Sequence, residues 1–141
     1  MASEELHAIE LLGRVPYGRL ATSMRALPIL AVARHVVAEG RVLLRMHRGL
    51  GHHTSCDGSV IAYGADNFNT AADGGDDPWS VQFTGPAEIV RPCSEQQKLF
   101  GPVPLTANDE PFDPVYLRLE PRFVTMHTLG FHASQRIGHV A

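Results

Sequence analysis

Apolar residues along this chain come in short runs separated by turn residues, and the period of those runs changes once, near residue 16. Ahead of that point Leu6, Ile9, Leu11 and Leu12 fall on helical spacing, Ser3 suits an N-cap, and Glu4 and Glu5 suit the positive end of a helix dipole. Gly13 and Pro16 stop that helix, giving a leading segment of residues 1–16. From Gly18 onward the runs are aliphatic or β-branched and carry few charges. GRLATSM and LPILAVARHVV read as strands joined by a tight turn at Arg25-Ala26, with Pro28 near a strand start, where a missing donor is tolerated. Ala38-Glu39-Gly40 makes a second turn and RVLLRM a third strand. Such short links force antiparallel pairing, because a parallel pair needs a long crossover.

The segment 47–57 has no clear period, and Gly49 and Gly51 weaken any helix through it. SVIAYGAD reads as a fourth strand. The polar stretch after it, with four acids between Asp66 and Asp77, is longer than most hairpin links and is the kind of loop that carries motion or function. Residues Trp79 to Val90 form a long fifth strand, bent or bulged at Gly85-Pro86 in the way that small barrels close. CSEQQKLFG suits a short helix ended by Gly101, and PVPLTANDEPFD an irregular connection. In PVYLRLEPRFVTMH, Val115, Leu117 and Leu119 alternate with Tyr116, Arg118 and Glu120, as expected of a sixth and last strand. Residues 129–141 form a polar, loose tail. The pattern predicts one mainly antiparallel small barrel over residues 1–141.

Composition narrows the classes. At 141 residues the chain can bury one core without staples, and 44% hydrophobic with 19% charged residues is ordinary for a globular protein. A net charge of −3 gives no general attraction to nucleic acid or to anionic lipid, so any basic site must be local. Cys56 and Cys93 are too few for a disulfide scaffold and read as reduced thiols. The first residues lack a basic and then apolar leader, and nowhere do eighteen apolar residues run together, which points to the cytoplasm. The usual phosphate-loop, dinucleotide, serine-hydrolase and zincin motifs are absent.

Candidate chemistry concentrates between the third and fourth strands. Arg45, His47, Arg48, His52 and His53 put five groups able to carry positive charge within nine residues. Arginine forks suit phosphate, whereas histidine near neutral pH is a weaker and pH-dependent donor. The cluster reads either as an anion site or as a solvated basic loop. Three histidines near Cys56 also permit a metal or haem site, but no carboxylate or thiol stands at a convincing ligand spacing, so no metal is assigned. Trp79 suits both a cap on the barrel core and a cofactor-lining role, while Tyr63 and Tyr116 suit packing or an interface.

The ordered series GRLAT, LPI, GRVLLR, GSVIAYGAD, WSVQFTGPAEIV and VYLRLEPRFVT resembles the pyridoxamine 5′-phosphate oxidase-like, flavin-binding split-barrel family, small actinobacterial type, over roughly residues 5–128. The resemblance implies a six-stranded antiparallel split β-barrel (Greek key) with a leading helix and short connecting helices, dimerising around two FMN molecules. It implies that Arg45 and Met46 occupy the phosphate-side strand end and that Trp79, Ser80 and Val81 approach the flavin ring. The family's Gly-x-Lys falls at Gly49-Leu50-Gly51, so this chain lacks the lysine, with His52 or His53 nearest to stand in, beside His47 and Arg48. Met46 replaces a hydroxyl residue. The implied activity is an FMN-dependent oxidoreductase of a small organic molecule; the alternatives are a non-catalytic flavin or deazaflavin F420 binder, and a cofactor-free barrel using the interface pocket for another ligand or reaction. Flavin chemistry needs few acid or base groups from the protein, so no catalytic residue is assigned.

Overall fold

The computed structural model describes residues 3–71 and 76–131. Along the chain it contains α1 (Ser3–Leu12), β1 (Tyr17–Met24), β2 (Leu27–Ala38), β3 (Arg41–His47), α2 (His52–Cys56), β4 (Ser59–Asp66), β5 (Trp79–Val90), α3 (Ser94–Leu99), β6 (Thr106–Ala107), β7 (Glu110–Pro111), β8 (Pro114–Leu119) and β9 (Phe123–Thr128). Neighbours in the main sheet run β4-β1-β2-β3-β8-β5, and β5 pairs back onto β4, which closes a six-stranded barrel; β9 is an extra strand on β5. All these pairings are antiparallel. The order β4-β1-β2-β3 is a Greek key, as the sequence led us to expect.

Alternation fills the barrel. Leu20, Val42, Leu44, Ile61, Phe83, Leu117 and Leu119 all point inward and are buried. Helix α1 closes one end with Ala8, Leu11 and Leu12. It is tied down by a polar pin inside the core, where His35 Nε2–H donates to the Leu12 carbonyl at 2.8 Å and the Tyr63 hydroxyl lies 2.5 Å from His35 Nδ1 and 3.1 Å from the Ala33 carbonyl. Burial strips water from the imidazole and holds its pKa below the ordinary value, while the same cause pushes the Tyr63 phenol upward.

Two expectations change. The single last strand is divided: Ala87 faces Leu119 but Thr84 faces Phe123, so two residues of β5 oppose three of the partner. That one-residue excess is a bulge, and it lies opposite Gly85-Pro86. The Glu120 and Arg122 amides donate there to Pro86 and Thr84 at 3.0 and 2.8 Å, and a Cβ on Gly85 would run into the Glu120 carbonyl. The expected irregular connection also contains the hairpin β6–β7, turned by Asn108 and Asp109 with φ of 51° and 63°. The loose tail falls mostly, and the acidic loop partly, outside the described residues. Among the described residues no helix is long and apolar enough to cross a membrane.

Candidate functional site

Residues Arg41, Leu43, Arg45 and His47 share one side of β3, and the excursion from α3 through β6–β7 supplies a wall beside the last two. At the end of β3 the chain makes a single 3-10 turn, Arg48–Leu50, and then turns through Gly51 at φ 75° into α2. The backbone at Gly49 passes so close to His47 and Glu110 that a Cβ there would meet both side chains. Between this turn, β2 and the hairpin lies a cleft of about 400 Å³. Leu30, Val32, Leu50 and Phe112 give it apolar walls, and Arg34, Arg45, His47, His52 and Asn108 contribute polar groups.

Arg45 is buried, yet it borders this cleft. Its Nη1 and Nη2 donate to the Gly101 and Pro102 carbonyls at 3.3 and 3.1 Å, and its guanidinium sits 5.4 Å from the Phe100 ring centre. Two of its five N–H groups are thus engaged by the protein, leaving others for a ligand. Met46 belongs to the barrel core while also bordering the cleft. His47 accepts the Asp113 amide on Nδ1 at 3.1 Å, a bond that assigns the ring proton to Nε2, from which it donates to Glu110 at 2.6 Å. Both of its nitrogens are therefore used, one on Glu110 of β7 and the other on Asp113 just ahead of β8. Arg48 pairs with Asp113 at 3.4 Å and does not line the cleft.

The adjacent histidines part company. His52 lines the cleft, and its imidazole has no protein hydrogen-bond partner among the described residues. His53 is buried and outside the cleft, with Nδ1 unpartnered; burial first and the neighbouring Arg48 second hold its pKa below the ordinary value. Trp79 lies in the barrel core, where its amide donates to Asn67 Oδ1 at 2.7 Å. Ser80 and Val81 border a second, shallower cleft of about 280 Å³ on the outer face of the sheet, together with Arg19, Gln82 and His127. The structure therefore gathers Arg45, Met46, His47 and His52 in one cleft and Ser80 and Val81 in another, with Leu30 bordering both.

The β2 and hairpin residues that border the first cleft do not stand out in the sequence as site residues. Arg34 is the clearest case: it donates to Phe100 O at 3.1 Å, to Leu99 O at 3.4 Å and to His35 O at 2.5 Å, fixing the end of α3 beside Arg45. A charge inside an otherwise aliphatic strand was the available signal. For Asn108 it was the Asn-Asp pair, a favoured composition for a turn with two positive φ values.

The sequence model of pyridoxamine 5′-phosphate oxidase matches residues 4–128. This chain belongs to the pyridoxamine 5′-phosphate oxidase family. Among relatives of this family member, the uncharacterised protein Rv0080 of Mycobacterium tuberculosis is 32% identical over 126 residues, covering 84% of this chain and 78% of that protein. Among solved structures, the FAD binding protein from Mycobacterium smegmatis superposes with a TM-score of 0.68 at 20% identity, covering 92% of this chain and 98% of the other. An FAD-binding protein from Mesorhizobium loti gives 0.60 at 14% identity, covering 92% and 96%. At such identities the structural likeness establishes a shared fold.

Proposed function

We propose that this family member binds a flavin nucleotide in the cleft at the end of β3 and uses it in redox chemistry on a small organic molecule. The observation that carries this reading is the pairing, within one 400 Å³ cavity, of apolar walls with the cationic group of Arg45 and the unpartnered imidazole of His52. A flavin needs that combination, a dry face for its ring system and positive donors for its phosphate. The two structural neighbours are both FAD-binding proteins, which supports a flavin; FMN is the form favoured by the sequence resemblance, and FAD is the competing form.

The residues present fit the group in part. Arg45 retains free N–H groups and His52 is available, whereas His47 has both nitrogens committed and no lysine stands in the turn. When bound, the flavin supplies the hydride or electron transfer. The chain's task is to hold the phosphate with Arg45 and His52 and to keep water from the ring with Leu30, Val32 and Phe112. Leu30 and Val32 are 69% and 60% exposed on the sheet face between the two clefts. Such an apolar surface favours cover by a second copy, in a homodimer that would set the Ser80–Val81 cleft of one subunit near the Arg45 cleft of its partner.

One observation favours a second reading, a barrel that uses the cleft for another ligand: Arg45, His47 and Arg48 already have protein partners. An absorbance spectrum of purified protein loaded with FMN, FAD or deazaflavin, followed by anaerobic reduction and reoxidation, tests the proposal. Retained flavin that cycles supports the redox role. Retained flavin that no reductant or acceptor turns over supports storage, and no retained flavin removes both.

A further inference from the structure

A second basic site lies on the opposite stretch of β3, and it shares no lining residue with the flavin cleft. Arg41 opens β3 directly after the Glu39-Gly40 turn, whose φ values of 55° and 73° swing the chain sharply round. Arg118 stands on β8, in register with Leu43 of β3 on one side and Glu88 of β5 on the other. Arg91 follows the last residue of β5. These three arginines, with Gln96 from α3, border a small cleft of about 110 Å³.

The charges do not cancel. Arg118 is paired with Glu88, and Glu39 stands at the rim, but Arg41 and Arg91 have no acidic partner among the described residues. Three arginines against two acids leave one net positive charge, in a chain whose overall charge is −3. Gln96 has its Oε1 committed to the Cys93 amide at 3.1 Å, so what remains to face a ligand is its NH₂ donor. The cleft therefore offers donors from three elements. Its volume is well below the roughly 300–1,000 Å³ of cavities that enclose whole small molecules, so it suits a single group. Three guanidinium groups bordering one small cleft can together engage several oxygens of a phosphate, where a carboxylate offers only two.

We propose that Arg41, Arg91 and Arg118, with Gln96, form a binding site for a phosphate group, either inorganic phosphate or the end of a phosphate monoester. This does not depend on the flavin reading. The test is a titration of the ¹⁵N-labelled full chain followed by amide chemical shifts, with inorganic phosphate, glycerol phosphate and acetate in separate arms at constant ionic strength. Phosphate should move the amides around residues 39–41, 91, 96 and 118 along one saturating curve. A tighter curve with glycerol phosphate would assign the site to a monoester, and an equal or weaker one to the free ion. The double variant Arg41→Ala with Arg91→Ala, both exposed side chains, should weaken the response at least about tenfold, while Arg25→Ala, on the distant β1–β2 turn, should leave it unchanged. Unmoved amides, an equal response to acetate, or equal loss in both variants would overturn the assignment. Shifts confined to residues 45–52 would report the flavin cleft instead and would equally overturn it.

Discussion

Replacing Arg45 by methionine keeps an unbranched apolar stem about as long as the aliphatic part of arginine and removes the guanidinium. In the folded protein that guanidinium makes one hydrogen bond of ordinary length, to Pro102 at 3.1 Å, and one slightly long, to Gly101 at 3.3 Å. A hydrogen bond from a charged donor contributes about 1.5–3 kcal/mol, and the longer one less. The stacking over Phe100 at 5.4 Å adds about 0.5–1 kcal/mol. Against this, both carbonyls lie beside an open cleft where water can replace part of what is lost, and the methionine stem keeps the packing. The expected net loss is about 2–3 kcal/mol, read as a lower urea midpoint at unchanged slope. Flavin affinity should fall at least about tenfold in the same variant, which corresponds to about 1.4 kcal/mol. A stability loss under about 0.5 kcal/mol would refute the anchoring argument. An unchanged flavin affinity beside a normal stability loss would make Arg45 a structural residue alone.

Four further outcomes follow from the same geometry. Gly85→Ala drives a methyl into the Glu120 carbonyl and disturbs the two bulge hydrogen bonds, so it should cost about 3 kcal/mol; urea unfolding giving less than about 1 kcal/mol would contradict the close approach. Tyr63→Phe strips the hydroxyl shared by His35 and Ala33 and should lower stability by about 1–3 kcal/mol in thermal or urea melts, with equal stability as the refuting result. Because burial lowers the His35 pKa in the folded state, its contribution is complete above the unfolded value of 6.5 and is lost as pH falls below it, by at most about 1.4 kcal/mol per pH unit; His35→Asn should flatten that acid-side slope in urea midpoints, and identical slopes would refute it. His52→Ala should weaken flavin binding several-fold to about tenfold while leaving the urea midpoint in place, whereas a fall in both would place His52 in the fold rather than in the site.

Much of the barrel was legible because short strands with aliphatic runs and tight turns leave little choice of pairing. Gly85-Pro86 announced its bend, and Arg25-Ala26 its turn, where both residues take positive φ at 53° and 66°. The division between β8 and β9 was not legible, since the alternation runs through Glu120-Pro121-Arg122 and the extra residue exists only relative to β5. The strands of the β6–β7 hairpin are two residues each, too short to show a period. For the candidate site, the sequence identified the strand end that carries Arg45 but could not tell which cations already had partners. Glu110 and Asp113, which engage His47 and Arg48, stand more than sixty residues away along the chain. Nor could it separate His52 from His53, because one residue step on a short helix puts one imidazole in the cleft and the other in a buried spot beside Arg48.

Flavin fluorescence, followed while FMN and FAD are titrated into the protein, reports whether the cleft at the end of β3 holds a flavin. A saturable change is expected for at least one of them, weakened at least about tenfold by Arg45→Met and unaffected by Arg25→Ala. A flat titration with both nucleotides, or saturation that is indifferent to Arg45, would contradict flavin binding in that cleft.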